Sequence, residues 1–518
     1  MKITRSAVAV AVASTLGMAS AHALTQAEYA TATKIYFGGA TATDNVLEAT
    51  FLAADGDGIC DSVLGNIGVY RSANQRVITC NVSNDNPVTA GKGFPTRAAG
   101  GLKIAFHKES AGGSSNGVNP LIAVATGQAH TMRWLDVAAT TGCTGTAVAA
   151  TASRLAYTDF TGCSPTLTAA DTAGSSTFDV HGGISDNEPA LAFPAPGKDA
   201  LKLTSKAGVQ IVFGVPVTTV LYRALQKAQF AAGTCDTVAT QDTEACVPSL
   251  EKNQIVALYT QNVVDWTQFK DANGVALTAV PGVTAPADSV PRICRRVATS
   301  GTQATFEAVL LNERCVSNAQ GFAAPDDAST ITDTSPYNPN DFLNGSTVNA
   351  APSSGNVRTC MASANTNNFW ALGVLSTEVT DSNYNSGNGG FRFIAINGAA
   401  PNLVNVANGT YDFFSENTVN YIKSGNPGAL AATDNRFKIV DLVSNRLGNV
   451  DAINTINADF DGRPWGNGGI LGLPTLGSPG TAPYSAAELA ANPISTQTRA
   501  GNTCQPAIMK KAQPVDNR

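Results

Sequence analysis

The feature that most narrows the folds open to this chain is a unit that recurs along it: a short apolar run, a glycine-rich turn, then apolar residues at helical spacing. Lys34-Ile35-Tyr36-Phe37 runs into Gly38-Gly39-Ala40-Thr41-Ala42-Thr43, after which Val46, Leu47, Thr50 and Phe51 share one helical face. Leu102-Lys103-Ile104-Ala105-Phe106 is followed in the same way by HKESAGGSSNGVNPLIAV. Such alternation predicts an α/β fold. Residues 178–186 read as a strand that ends on an acidic side chain, and residues 210–217 as a buried strand. Residues 249–266 read as a packing helix capped by Ser249, with Ile255, Leu258 and Tyr259 on one face. Residues 391–414 restore strand, proline-containing turn and helix, whereas 316–356, rich in Asn, Ser, Pro, Asp and Ala, read as an irregular surface excursion. A length of 518 residues exceeds one ordinary core and predicts at least two lobes.

The start of the chain reads as a secretory leader: Met1 to Arg5 is a basic segment, Ala7 to Met18 an apolar one, and Ala21-His22-Ala23 a cleavage site, so the mature chain is expected to begin at Leu24. The apolar run is shorter than the ~20 residues a spanning helix needs, and no later segment predicts a membrane span. Loss of Lys2 and Arg5 takes the formal charge from −6 to −8, which excludes a nucleic-acid partner and requires any anionic ligand to find a local basic pocket. In an exported chain the ten cysteines predict disulfides. Spacing alone pairs neighbours: Cys60 with Cys80, Cys143 with Cys163, Cys235 with Cys246 and Cys294 with Cys315, leaving Cys360 for Cys504 at the C-terminal tail. No C-x-x-C occurs, so neither a zinc site nor any cofactor is expected.

Residues 292–312, PRICRRVATSGTQATFEAVLLN, place two arginines beside a Ser300-Gly301-Thr302 turn that leads into a helix marked by Phe306, Val309 and Leu310. The first turn of a helix leaves backbone N–H groups without partners, and with two hydroxyls and a guanidinium these can converge on one anion. A structural reading of the same residues is an ordinary N-cap beside a solvated arginine pair. Gly113-Ser114-Ser115-Asn116-Gly117 also matches the G-x-S-x-G pattern of hydrolases, with Asp136, Asp159, Asp171 or Asp179 and His181 to complete a triad, but more than half of the chain would follow the histidine. His107 and His181 read as hydrogen-bonding residues, and Asp55-Gly56-Asp57-Gly58-Ile59-Cys60-Asp61 as an acidic turn without the glutamate of a calcium loop.

Six segments in order resemble the phosphate-binding substrate-binding proteins of ABC transporters, which have the type II periplasmic-binding-protein fold. Gly39-Ala40-Thr41 resembles the family's G-A-T loop, Ser114 to Val118 its G-S-S-G-G-V turn, and Ser185-Asp186 its G-A-S-D segment. Leu250 to Trp266 is similar to its I-Y-x-G-x-I-x-x-W helix, and Arg295-Arg296 with Ser300-Gly301-Thr302 resembles its R-R-x-D-G-S-G-T loop. Asn397 to Pro401 through Asn408 to Tyr411 resembles its V-N-G-V-x-P segment and the N-x-x-x-G-x-Y that follows. The resemblance implies two lobes, α/β in class, closing on inorganic phosphate or a related oxyanion, without catalysis, in the periplasm or outside the cell, with an ABC permease as partner. It implies Arg296 as the paired cation and Ser300, Gly301 and Thr302 as donors. Thr41, Ala42 and Ser114 would donate from the opposite lobe, and Asp186 would accept a proton carried by the phosphate.

The chain departs from that pattern at Ala298 and Thr299, where the family has the Asp-Gly that orients the arginine, at Ala42 in place of Phe, and at Asn116 in place of Gly. The expected division is a leader over 1–23, a first lobe over 24–195, a second over 196–380 with an insertion at 316–380, and a return over 381–518 with a C-terminal extension. Excess length falls at about 52–100, 123–177, 313–390 and 426–518, as loop-rich insertions stapled by disulfides. A secreted surface or matrix protein reusing the fold is the alternative that these insertions and Ala298 favour, and a hydrolase acting through Ser115 is a further one.

Overall fold

The computed structural model describes residues 23–54, 56–139, 143–164, 166–171, 180–315, 337–385, 390–474 and 484–509. The expected leader lies outside the described residues, apart from Ala23. Two sheets organise the chain, and at their centres both have the same strand order. In the larger sheet the strands are β1 (Thr33–Gly39), β2 (Leu102–Glu109), β3 (Gly182–Ser185) and β4 (Leu203–Gly214). The smaller sheet holds β5 (Pro216–Thr218), β6 (Arg292–Arg296), β7 (Val348–Ala351), β8 (Ala371–Gly373) and β9 (Phe391–Phe393). The chain then returns to the larger sheet as β10 (Phe414–Ile422).

The larger sheet runs β2-β1-β3-β10-β4, with β1 parallel to β2 and β3, and with β10 antiparallel to both its neighbours. The smaller runs β7-β6-β8-β5-β9, with β6 parallel to β7 and β8, and with β5 antiparallel to β8 and β9. In each sheet the fourth strand in spatial order has entered from the other, and only Val215 separates β4 from β5. This is the two-lobed α/β architecture expected from the sequence. Chain order also reverses at β1 in the larger sheet and at β6 in the smaller, since the next two parallel strands lie on opposite sides of each. Crevices beyond the carboxyl ends of strands at such reversals are where open α/β sheets bind ligands.

The core follows the predicted apolar positions. Val46, Leu47 and Phe51 are buried on helix α1 (Asp44–Leu52), and Ile255, Leu258 and Tyr259 on α2 (Lys252–Tyr259). Glu251, not Ser249, caps α2, because its carboxylate completes a reciprocal pair with Gln254 and Ser249 is drawn into a short strand. Two expectations about irregular structure are corrected. Gly68–Arg71, Gln75–Val82, Thr144–Val148 and Tyr157–Thr161, all in regions read as loop-rich excess, are strands that widen the larger sheet. Residues 348–351, inside the supposed surface excursion, are the buried strand β7.

The disulfides Cys60–Cys80, Cys143–Cys163 and Cys235–Cys246 pair as expected. The other expected pairs, Cys294–Cys315 and Cys360–Cys504, are not formed; Cys294 joins Cys360 and Cys315 joins Cys504. Pairing by nearness in sequence fails here because a helix connecting parallel strands packs back on the sheet whatever the length of chain between them. Cys294 lies in β6, and Cys360 lies on the connecting helix Ser354–Thr366, 6.0 Å away between Cα atoms.

Candidate functional site

Each predicted site residue lies at or beyond the carboxyl end of a central strand. Thr41 and Ala42 form a short turn of 3-10 helix after β1, Ser114 lies in a similar turn after β2, and Asp186 directly follows β3. On the other side Arg296 is the last residue of β6, and Ser300 caps helix α3 (Gly301–Val309), its hydroxyl accepting the Gln303 N–H. Glycine is required where these turns crowd: Gly39 has φ of +128°, and a Cβ there would stand 1.8 Å from the Ile184 carbonyl oxygen.

Ser114, Asp186, Gly301 and Thr302 meet directly. The Asp186 N–H donates to Ser114 Oγ at 3.0 Å, and Thr302 Oγ1 donates to Asp186 Oδ2 at 3.5 Å. A Cβ added to Gly301 would lie 2.1 Å from Ser114 Oγ and 2.6 Å from Asp186 Cβ, so only glycine lets the two sides approach this closely. The contact is fixed by bonds across the cleft, from Ser115 N–H to the Thr299 carbonyl at 3.1 Å and from Asn187 Nδ2 to the Gly301 carbonyl at 3.2 Å and Thr305 Oγ1 at 2.7 Å. Thr41 reaches this edge through Ser110, whose carbonyl accepts its hydroxyl at 3.4 Å, while Ala42 is half-buried against the core.

Asp186 is 3% exposed, and its Oδ1 has no hydrogen-bond partner. An orphaned carboxylate oxygen in a protein interior is uncommon and costly, so it calls for a reason. Burial pushes the carboxyl up to about 6, against the Ser114 hydroxyl and the charges of Arg296 and Lys108, which favour the ionised form. Arg296 is 2% exposed, and burial pulls its guanidinium down to about 10 while Asp186 opposes the change. Among the described residues no carboxylate is hydrogen-bonded to this arginine. The Ala351 and Pro352 carbonyls accept from Nε and Nη2 at 3.3 and 3.2 Å, and Ser354 Oγ accepts from Nη1 at 2.9 Å. These take the place of the acid missing at Ala298. The carbonyl of Ala298 accepts instead from Arg314, which shares Glu307 with Arg295. Three of the five guanidinium N–H groups are thus engaged, and two remain to meet an anion.

Sequence reasoning missed four residues. Lys108, 1% exposed, donates to the carbonyls of Gly39 and Ala40 at 3.3 and 2.9 Å, to Asp44 Oδ1 at 2.5 Å and to Ser110 Oγ at 2.8 Å. It lies between His107 and Glu109 on the strand that leads into the glycine-rich turn, and nothing in that pattern marks it as buried. Ser354 and Asn187 carry no motif, and Glu378, half-buried with an unpartnered Oε1, sits in a segment read as excess. Among the described residues, Ser115 and His181 do not meet. Ser115 Oγ accepts the Phe193 N–H at 2.9 Å, Asp159 pairs with Arg71, and the His181 ring meets the Tyr36 N–H and Arg436. Asp179 and the side chain of Asp171 lie outside the described residues. Asp61 in the acidic turn is buried against Ser83 and Arg97, and among the described residues no group of His, Cys, Asp and Glu is arranged to hold a metal.

No family model and no curated protein matches this chain. Among solved structures, it is similar to a putative phosphate ABC transporter substrate-binding protein with bound phosphate from Clostridium perfringens, at 13% identity and a TM-score of 0.35, over 82% of this chain and 98% of that one. It is similar to PstS from Borrelia burgdorferi at 9% identity and 0.32, over 82% and 97%. For an ABC-type phosphate transport receptor from Vibrio cholerae the values are 12% and 0.27, over 52% and 79%. At these identities and scores the likeness says nothing of the ligand, and the architecture rests on the strand order of the two sheets.

Proposed function

We propose that this is an exported solute-binding protein that captures phosphate or a similar proton-bearing oxyanion between its lobes. The observation that carries the reading is the buried, unpartnered Oδ1 of Asp186 beside Ser114 and the first turn of α3, with Arg296 near enough to act on its charge. A carboxylate in that position accepts a P–OH and repels an oxyanion without protons, such as sulfate. The first-turn N–H groups of Gly301 and Thr302 have no acceptor within the helix, and the free N–H groups of Arg296 supply positive charge at the same place. In this reading the first lobe runs to Gly214, where β4 of the larger sheet ends, the second from Pro216 through β9 of the smaller sheet, and the return is carried by β10. The five disulfides fit an oxidising compartment, and delivery to an ABC permease is the expected use.

A second reading, a surface or matrix protein that reuses the fold without taking up phosphate, is favoured by Arg296, three of whose donors are held by its own lobe. Isothermal titration of the mature oxidised protein separates the two. Saturable phosphate binding that sulfate does not displace and that Arg296→Ala abolishes supports uptake. Absence of phosphate binding sinks it in favour of the second reading.

A further inference from the structure

Glu378 lies two residues past the short strand Leu375–Ser376, which pairs antiparallel with Phe213 and Gly214 at the end of β4. That register carries the chain back along β4, with the Thr377 N–H donating to the Val212 carbonyl at 2.9 Å; Val212 faces Phe414 of β10, and four residues on, Thr418 of β10 faces Ser185, the last residue of β3. Glu378, one residue further, is thus directed back toward the level at which Asp186 leaves β3. Its Oε1 is buried without a partner, the same condition as Asp186 Oδ1. Burial first, then the carboxylates of Asp186 and Asp44, push its carboxyl up to about 8. Of the two acids that act on it, Asp44 pairs with Lys108 and Asp186 is opposed by the charge of Arg296, while Arg463 donates from Nε to the Val379 carbonyl at 2.8 Å and from Nη1 to Asp381 at 3.0 Å.

Resting on the reading of this cleft as an oxyanion site, we propose that Glu378 is a second carboxyl that counts protons: it enters the closed complex protonated and donates its O–H to the anion, while Asp186 accepts an O–H from it. Two ionised carboxylates facing one anion would repel it, and one proton on Glu378 turns one of them into a donor. A ligand with both a proton to give and an unprotonated oxygen to accept satisfies both groups. Phosphate and arsenate are of this kind; sulfate lacks the proton and a neutral sugar lacks the charge.

The test is phosphate affinity by isothermal titration between about pH 6 and about pH 9 for the wild type and Glu378→Gln. Phosphate's own titration and that of Asp186 contribute to both proteins, so the difference in slope isolates Glu378. Above about pH 8 the wild type is expected to lose a further factor of about ten per pH unit that the variant, which has no proton to lose, does not. Parallel slopes in proteins that both bind would overturn the role of Glu378 and leave the phosphate reading standing; a wild type that binds no phosphate at any pH overturns both. If the glutamine variant does not fold, NMR of wild type carrying 13C-labelled glutamate decides. One carboxyl titrating near pH 8 and moving higher when phosphate is added is expected, and glutamates that all titrate in the ordinary range contradict the proposal.

Discussion

The two sides of the cleft handle their charges differently. On the smaller lobe Arg296 is buried but held, with three nitrogens on Ala351, Pro352 and Ser354, and Ser300 caps its helix. On the larger lobe Lys108 is equally well held, yet Asp186 and Glu378 each leave a buried oxygen without a partner. A side that satisfies itself can position a ligand and keep its shape when empty. A side that leaves acceptors open carries a cost until something arrives, and that is where selectivity resides.

The sharpest way to break this contrast is Arg296→Ala. It removes the compensating charge from Asp186 and the bonds that join β6 to the segment after β7, so a loss of about 3–5 kcal/mol is expected. Phosphate binding should disappear, and the denaturant midpoint should fall. A variant that binds as before would place the anion elsewhere. Gly301→Ala should come next. Its Cβ collides with Ser114 Oγ and Asp186 Cβ, which costs on the order of 1–3 kcal/mol if the lobes are to close. Affinity should fall about ten- to a hundredfold, and small-angle scattering should show a larger radius of gyration.

Asp186→Asn should work in the opposite direction on stability. The folded carboxyl sits at about 6, above its ordinary value of 3.8, so ionisation opposes folding, and stability is lost as pH rises through that interval. At pH above about 6 the ligand-free variant should be more stable than the wild type by about 1–3 kcal/mol, an advantage that vanishes below about pH 4. It should also admit sulfate. An equal Tm for the two proteins above pH 6 would mean that the open acceptor carries no cost. Ser354→Ala should have the smallest effect, about 1 kcal/mol in affinity, because two carbonyls still hold Arg296. A loss as large as that of Arg296→Ala would show that the serine touches the ligand itself.

Much of the architecture was legible because apolar spacing marks the first strands and helices of each lobe, and the glycine turns mark where they end. Residues 33–52, 102–126 and 292–312 adopt the elements their patterns predict. What escaped was long-range. Strand β7 reads Val-Asn-Ala-Ala, too short and too polar to declare itself, and it becomes a strand only because β6 offers a partner. The same crossover decided that Cys294 meets Cys360, and it brings Ser354 to Arg296. Glu378 was illegible for the same reason, since nothing local says that its segment returns to the edge of β4.

The central claim is that the open Oδ1 of Asp186 is filled by a proton-bearing oxyanion, and a crystal structure of the protein grown with phosphate tests it most directly. The account predicts one phosphate between the lobes, with an oxygen at hydrogen-bond distance from Asp186 Oδ1 and others on Arg296 and the N–H groups of Gly301 and Thr302. Phosphate bound away from Asp186, or a cleft that stays as it is without the anion, would contradict it.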